Sequence, residues 1–350
     1  MPEGPEVRTL VHHLNQYLQR KQPTTYQITQ ATLFSGRYYN TGSLPEGWDL
    51  FLAKLPLNIH RVAGKGKFIY FELDQGISLW STLGMSGGWT LNDYHRHKRF
   101  SFTIEAAPPP RESAASAPAS TPAPAPTDEP LAEQLTFIDS RNFGTLKVCF
   151  DANELTQRLN KLGPSWLHGQ VTLDVFRALL LKPGKPQRNR LLAVFLMDQT
   201  KTSGIGNYIL AEGLYVAELY PWMKVGELKE EDIDRLYYGL LDIILRSCRS
   251  QVDIARARFD GGSGKCGRTE EFKSSGGGGG LDLSFLGQEG QESSMEDGMQ
   301  TRGGCGSHFK LRVYGQKRDA NGYAVVRDMN GPHKRTIWWV PEVQRERIVE

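Results

Sequence analysis

Two stretches limit how these 350 residues can fold. Residues 106–134 are dominated by Ala, Pro and Ser, and residues 260–306 are low-complexity, with an unbroken glycine run at 276–280. Neither can bury enough apolar area to offset the entropy of ordering it, so both are read as disordered insertions. The first falls between strand-like segments, Phe100–Ile104 before it and Leu135–Ile138 after it, so it interrupts one domain without dividing two. The expected organisation is an N-terminal domain over 1–150, a helical domain over 151–259, the second insertion over 260–306 and a strand-like tail over 307–345.

Between the insertions the hydrophobic period changes twice. Val7, Leu10, Val11, Leu14, Tyr17 and Leu18 recur at i, i+3 and i+4, which predicts an amphipathic helix directly behind Pro5. From about Gln27 to Phe102 the pattern alternates like strands, with Phe68–Leu73, Ile77–Trp80 and Phe100–Ile104 set off by turn residues such as Asp74-Gln75-Gly76. From about residue 153 it becomes helical. One helix carries Leu191, Leu192, Val194, Phe195 and Leu196, and a second runs Tyr208–Val216. A third puts Ile233, Leu236, Tyr237, Leu240, Leu241 and Ile244 on one face. Strands are expected again at Leu311–Tyr314, Tyr323–Val326 and Thr336–Val340. The fold class is α+β.

Composition narrows the function. No run of 18 apolar residues predicts a membrane span, and Arg8, His12, His13 and Asn15 break up any secretory signal at the start. Four scattered cysteines, Cys149, Cys248, Cys266 and Cys305, make no disulfide framework and fit a reducing compartment. With a net charge of only +3, a nucleic-acid partner would have to be held by local clusters. Candidates are Lys65 with Lys67, Arg96 through Arg99, Arg246 with Arg249, Arg256 with Arg258, Lys310 with Arg312, and Lys334 with Arg335. Such clusters are usually solvated faces, and only their aromatic and glycine-rich neighbours raise them here.

The first six residues, Met-Pro-Glu-Gly-Pro-Glu, carry the chemistry. Removal of the initiator methionine exposes the secondary amine of Pro2 beside the carboxyl of Glu3. An α-amino group has a pKa of about 7.7–8.0, well below the roughly 10.4 of a lysine, so much of it is free base at neutral pH. It can attack an aldehyde-level carbon and form an iminium ion. The positive end of the following helix disfavours its protonation. Taken alone, Pro2 and Pro5 read first as the proline start of an ordinary helix. Two further loops invite a ligand. Lys201-Thr202-Ser203-Gly204-Ile205-Gly206-Asn207 has glycines that let a ligand approach, with Asn207 expected as the N-cap of a helix whose free N–H groups attract phosphate. Gly64-Lys65-Gly66-Lys67 precedes a strand and can grip phosphate. An ordinary helical hairpin and a surface turn are the plainer readings of these two loops.

The motifs recur in an ordered series. Met-Pro-Glu-Gly-Pro-Glu at 1–6, Gly-Lys-Phe at 66–68, Leu-Gly-Met-Ser-Gly at 83–87 and Asp-Ser-Arg-Asn-Phe-Gly at 139–144 are followed by Leu-Gly-Pro at 162–164, Leu-Met-Asp-Gln at 196–199 and Gly-Ile-Gly-Asn-Tyr at 204–208. This series resembles the formamidopyrimidine-DNA glycosylase/endonuclease VIII family of base-excision repair enzymes over nearly all of the chain outside the insertions. The resemblance implies an N-terminal β-sandwich with a catalytic N-terminal helix, then a helix–two-turns–helix domain. It also implies a bifunctional glycosylase/AP lyase in which Pro2 attacks C1′ and expels the damaged base, and β- then δ-elimination cuts the strand. On matching positions, Pro2 is the nucleophile, Glu3 the acid/base, and Glu6 a supporting member of the polar network. Lys67 and Asn207 hold phosphate. Met85, Arg141 and Phe143 fill the void left by the flipped nucleotide; without the resemblance, Met85 and Phe143 would be read as core.

The chain departs from the family where many members carry a four-cysteine zinc finger. No cysteine follows Cys305, and Cys266 and Cys305 lack paired spacing, so no metal and no cofactor is expected. Strands through Tyr323–Val326 and Thr336–Val340, with Lys334-Arg335 at the turn, resemble a zincless finger. Ile337, Trp338, Trp339 and Tyr314 would replace the metal's contribution, and Arg335 would bind phosphate. Gly261 through Gly264 with Lys265 are a candidate remnant of a base-contacting loop. Gly4, where the formamidopyrimidine branch often has leucine, tilts the reading toward the endonuclease VIII-like branch and toward oxidised pyrimidines and hydantoins. A purine-directed enzyme and a non-catalytic damaged-DNA-binding protein are the alternatives. The expected partner is damaged double-stranded DNA, with single-stranded or bubble DNA left open. The protein is expected to be a monomer with no membrane association, in the nucleus or alternatively an organelle or nucleoid, and not secreted.

Overall fold

The computed structural model describes residues 2–20, 25–40, 42–91, 94–107, 132–182, 184–259 and 309–346, with the backbone only at 185, 186 and 252–259. The chain opens with helix α1 (Gly4–Gln19), begun by Pro5 and the acidic Glu6 in its first turn. Its stripe Val7, Leu10, Val11, Leu14, Tyr17 and Leu18 is buried. Eight strands follow: β1 (Tyr26–Leu33), β2 (Leu57–Lys65), β3 (Phe68–Leu73), β4 (Ser78–Thr82), β5 (Gly87–Thr90), β6 (Lys98–Ala106), β7 (Glu133–Asp139) and β8 (Thr145–Cys149). Short helices α2 (Arg37–Asn40) and α3 (Trp48–Lys54) lie between β1 and β2. β6 and β7 pair antiparallel, so residues 107–132 connect two neighbouring strands.

The strand order is β5-β7-β6-β1-β2-β3-β4-β8. β1 and β2 share only the pairs Gln27–Asn58 and Ile28–Leu57, and the sheet folds over at this narrow junction. Trp89 on β5 shows the closure. Its ring lies 5.1 Å from Phe71 on β3, and its Nε1 donates to Ser81 Oγ on β4 at 3.3 Å, strands far away in the order. Phe100, Phe102 and Phe137 pack around the same indole. The two halves therefore form a sandwich over one core, with register shifts that bend β1 against β6 and β2 against β3.

Among the described residues the helices α4 (Ala152–Asn160), α5 (Leu173–Leu181), α6 (Lys185–Arg188), α7 (Leu192–Met197), α8 (Asn207–Val216) and α9 (Glu230–Phe259) follow. A second core gathers Trp166, Phe176, Phe195, Ile209 and Leu214 with the α9 stripe Ile233, Leu236, Leu240 and Ile244. No described helix is long and apolar enough to cross a membrane.

The tail differs from the sequence expectation. Leu311–Tyr314 is not a strand, because the N–H groups of Arg312, Val313 and Tyr314 all converge on the buried Glu212 carboxylate at 2.8–2.9 Å. A strand points successive N–H groups to opposite sides, so three on one carboxylate force a bend. The hairpin that follows is shorter and shifted: β9 (Val326–Asp328) pairs with β10 (Ile337–Trp339). Such a ribbon is marginal alone. Here Ile337 is buried in the second core, Trp338 lies 5.8 Å from Tyr314, and Trp339 lies 5.1 Å from Tyr220. Among the described residues no group of three His, Cys, Asp or Glu is placed to hold a metal ion. Cys266, Cys305 and Gly261 through Lys265 lie outside the described residues.

Candidate active site

The first residues of α1 and the 201–207 loop are knitted into one unit. The Gly4 N–H donates to Gly204 O at 2.9 Å. Glu3 is fully buried, and its carboxylate accepts from the N–H groups of Tyr208 (2.9 Å) and Ile209 (3.3 Å) at the start of α8. Those are the N–H groups expected to be free for phosphate, so the sequence reading is corrected: the anion at this helix end is the chain's own carboxylate. Asn207 is corrected too. Gly206 is the N-cap, and Asn207 is the first helical residue. A Cβ on Gly206 would stand 2.2 Å from Glu3 Cδ, which explains the glycine. The glycines of this loop let a backbone pass close, as expected, but the partner is the N-terminal segment itself. Gly4 has a packing reason as well, since a Cβ there would meet Leu167 at 2.4 Å and Gly204 O at 3.0 Å.

Burial pushes the Glu3 carboxyl up to about 7, against the opposing pull of Lys67 and the Tyr208 N–H. A carboxyl near 7 exchanges protons readily at neutral pH. Glu6, one turn on, accepts from the Glu3 N–H at 2.9 Å and from the Tyr208 hydroxyl at 3.1 Å, and burial raises its pKa too. Tyr208 also meets Ser247 Oγ at 2.8 Å, and Gln251 Nε2 donates to Glu6 at 3.3 Å, so α9 closes the network. Tyr208, Ser247 and Gln251 were not picked out from the sequence. Only Tyr208, inside the Gly-Ile-Gly-Asn-Tyr motif, carried a signal.

The two lysines of the Gly64–Lys67 turn part company. Lys65 Nζ donates to Leu159 O and Leu162 O, both at 3.0 Å, and so caps the end of α4. Its expected phosphate role gives way to this contact. Lys67 instead faces Glu3 and Arg335: burial lowers its pKa, Glu3 opposes the shift, and Arg335 adds to it. Pro2 and Lys67 line a cleft of about 550 Å³. Arg158 from the last turn of α4, Lys161 at its C-cap, Gln199 and Thr200 line it as well. Both cations are exposed. In sequence they pass for neutralisers of their own helix's carbonyls, a task Lys65 performs.

The candidate void-filling residues also meet. Phe143 is 53% exposed and Arg141 is exposed, so neither is core, while Met85 is half-buried with Arg141 Nη1 at 3.6 Å from its sulfur. Asp139 organises both loops, accepting from Ser86 Oγ, the Arg141 N–H (3.1 Å) and the Gly144 N–H (2.7 Å). Burial works to raise its pKa, but these donors outweigh it and hold the pKa below the usual value. Asp139 stood in a quoted motif without a role. An Asp opening a Ser-Arg-Asn-Phe-Gly turn is the residue type that takes such N–H groups.

Asn207 joins the site to the hairpin. Its Nδ2 donates to Thr336 O at 2.7 Å, next to Arg335, and its Oδ1 is buried without a hydrogen-bond partner. Arg335 is half-buried after the tight turn at Pro332–Lys334.

Known proteins share this arrangement of sequence and fold. A model described as Formamidopyrimidine-DNA glycosylase N-terminal domain matches residues 1–146. Endonuclease 8 of Salmonella arizonae is 26% identical over 255 residues, covering 72% of this chain and 82% of that protein. Formamidopyrimidine-DNA glycosylase of Thermus thermophilus is 29% identical over 246 residues, covering 70% and 74%. Among solved structures, Lactococcus lactis formamidopyrimidine-DNA glycosylase bound non-covalently to DNA containing an AP site superposes with a TM-score of 0.61 at 17% identity, over 99% of this chain and 100% of that one. At that identity it shows the fold. These relatives are bacterial, and none supports the nuclear location expected from the insertions.

Proposed function

We propose that the chain is a member of the formamidopyrimidine-DNA glycosylase/endonuclease VIII family and a base-excision repair DNA glycosylase with AP lyase activity, working through the Pro2 amine on oxidised bases, pyrimidines and hydantoins foremost. The observation that carries the proposal is the buried Glu3 carboxyl, raised to about 7 and held by α8 next to Pro2, which lines a cationic cleft and becomes a secondary amine once Met1 is removed. A purely binding protein has no use for a desolvated carboxyl at that place, since ionising it in a buried site costs free energy.

In this reading the Pro2 lone pair forms a bond to C1′ of the damaged nucleotide. The glycosidic bond breaks, and the base leaves with that bond's electron pair and takes up the proton that the Pro2 nitrogen gives up on bonding to C1′. Glu3 supplies the proton that O4′ takes as the sugar ring opens, leaving an iminium ion between Pro2 and C1′. Loss of a C2′ proton then expels the 3′ phosphate, and a further elimination expels the 5′ phosphate. Glu6 positions Glu3 through its N–H and through Tyr208. Lys67, Asn207 and Arg335 bind the phosphates flanking the lesion, where charge-assisted contacts are strongest. Met85, Arg141 and Phe143 enter the duplex as the nucleotide leaves it. The hairpin needs no metal in this scheme, so a chelator should leave activity intact.

Borohydride trapping tests the proposal. Protein with Pro2 at its N-terminus is incubated with duplexes carrying an abasic site, thymine glycol, a hydantoin or 8-oxoguanine, and reduced. The expected result is a covalent adduct that vanishes in Pro2→Gly and under an uncleaved N-terminal tag, with pyrimidine and hydantoin lesions ahead of 8-oxoguanine. The reverse order would assign a purine-directed enzyme. No adduct, even on the abasic site, would leave a binding protein.

A further inference from the structure

Two cationic clusters of the sequence take no part in the cleft around Pro2, and the fold brings them together. Arg246 and Arg249 on α9 face Lys310 and Arg312, which follow the second insertion, across a groove of about 640 Å³. All four side chains are exposed. The groove adjoins the catalytic network at Phe309, whose ring lies 6.3 Å from Tyr208, but its α9 cations stand on another face of that helix. Ser247 and Gln251 reach Tyr208 and Glu6, whereas position 249 is turned by about 200° from position 247 on a helix.

A buried anchor shapes this groove. Glu212 on α8 is fully buried, and the three N–H bonds it accepts fix the backbone at 312–314 and with it Arg312, while the Phe309 N–H, next to Lys310, donates to Ser250 Oγ on α9 at 3.3 Å. Two carboxylates line the groove, and both are engaged. Asp242 pairs with Arg246 at 2.8 Å. Asp319 accepts from the Tyr215 hydroxyl at 2.9 Å and from the Asn321 and Tyr323 N–H groups. Among the described lining residues, Arg249, Lys310 and Arg312 therefore face no unengaged carboxylate, and Phe309, packed on one side against Tyr208, adds a half-buried ring to the same lining.

We propose that this groove is a second nucleic-acid site, which binds backbone phosphates of a strand outside the lesion cleft. The proposal rests on the reading of the chain as a DNA-processing enzyme. Guanidinium forks match phosphate oxygens in pairs, a concave wall concentrates their field, and an aromatic ring among cations is a stacking platform for a base.

The test uses the full chain with Arg249, Lys310 and Arg312 changed together to Glu, and in a second variant to Gln, each checked for an unchanged Tm. Binding is measured by anisotropy across a salt series for a long undamaged duplex and for a single strand. Adduct yield is measured on a short abasic-site duplex at saturating enzyme. The slope of log K against log salt should fall by about 0.9 per lost duplex contact, or about 0.7 for a single strand, and the affected probe tells which strand form the groove takes. Adduct yield on the short duplex should not change. Unchanged slopes on both probes in a folded Gln variant would overturn the inference, and an acidic peptide competing where nucleic acid does not would reassign the groove to a protein. Wild-type protein that forms no adduct yet shows the groove-dependent slope would sink the enzymatic reading alone.

Discussion

The knot around Pro2 and the loops bearing Met85, Arg141 and Phe143 are built in opposite ways. In the knot, Glu3 has no exposed surface, two N–H groups fix its carboxylate, and Gly4 and Gly206 leave no room for a Cβ. In the loops Asp139 fixes the backbone and Ser86, while the Phe143 ring is left half exposed to solvent. The difference follows from what each is proposed to do. Proton transfer within a fraction of an ångström needs a group that cannot move and a site that excludes water. A wedge must be free to leave the protein and enter a base stack, so its side chain cannot also be core.

The knot breaks most completely at Gly206→Ala. The added methyl would meet Glu3 Cδ at 2.2 Å, and Glu3 can retreat only by abandoning the Tyr208 and Ile209 N–H groups to burial. Overpacking together with unsatisfied N–H groups predicts a loss of about 3 kcal/mol or more, read by denaturant unfolding, and no trapping. Wild-type stability in that variant would mean that the knot is looser than its geometry.

Glu3→Gln comes next, and it has a sign that pH reveals. A carboxyl raised from 4.5 to about 7 binds more protons folded than unfolded inside that window. Its contribution to stability is then greatest below about pH 4.5, declines as pH rises to about 7, and is flat above, for a total of roughly 3 kcal/mol. Gln removes this slope, leaving what the raised Glu6 contributes. Thermal unfolding across that range checks it. The variant should also lose about 10²–10⁴ in adduct-forming rate, with loss of the alkaline limb that a protonated Glu3 imposes. An unchanged alkaline limb would take the acid/base role from Glu3.

The same contrast explains what could be read from the sequence. The α1 stripe, strands Phe68–Leu73 and Phe100–Ile104 and the α9 face obey strong periods, and their burial follows. Pro2, Glu3 and Lys67 could be nominated together because their chemistry sits in adjacent or motif positions, and the fold places Lys67 beside Glu3 and in one cleft with Pro2. The tail was misread at Leu311–Tyr314, because the carboxylate that bends it, Glu212, is about a hundred residues away and looks like any helical Glu. Asn207 was misread as an N-cap for the same reason: the carboxylate occupying that helix end comes from the other end of the chain. Lys65 and Lys67 look alike in sequence and differ only in which helix end or carboxylate lies beside them.

On the loop side, Asp139→Ala has the larger effect. It strips an acceptor from the buried Gly144 N–H, from Arg141 and from Ser86, which predicts about 2 kcal/mol of destabilisation and faster amide exchange in both loops. Exchange confined to one loop would show that Asp139 does not couple them.

Phe143→Ala should cost the least stability and separates the two regions most cleanly. A ring 53% exposed contributes little to the fold, so unfolding should shift by no more than about 0.5 kcal/mol. Its proposed work is to occupy the space of an extruded nucleotide, and extrusion costs a few kcal/mol when the base is paired and stacked. An abasic site lacks the base whose stacking must be broken. The variant should therefore lose about tenfold or more in single-turnover cleavage of a paired lesion, while the trapping rate on an abasic site stays near wild type. Equal losses on both substrates would make Phe143 part of general DNA binding, and a large loss of stability would return it to the core.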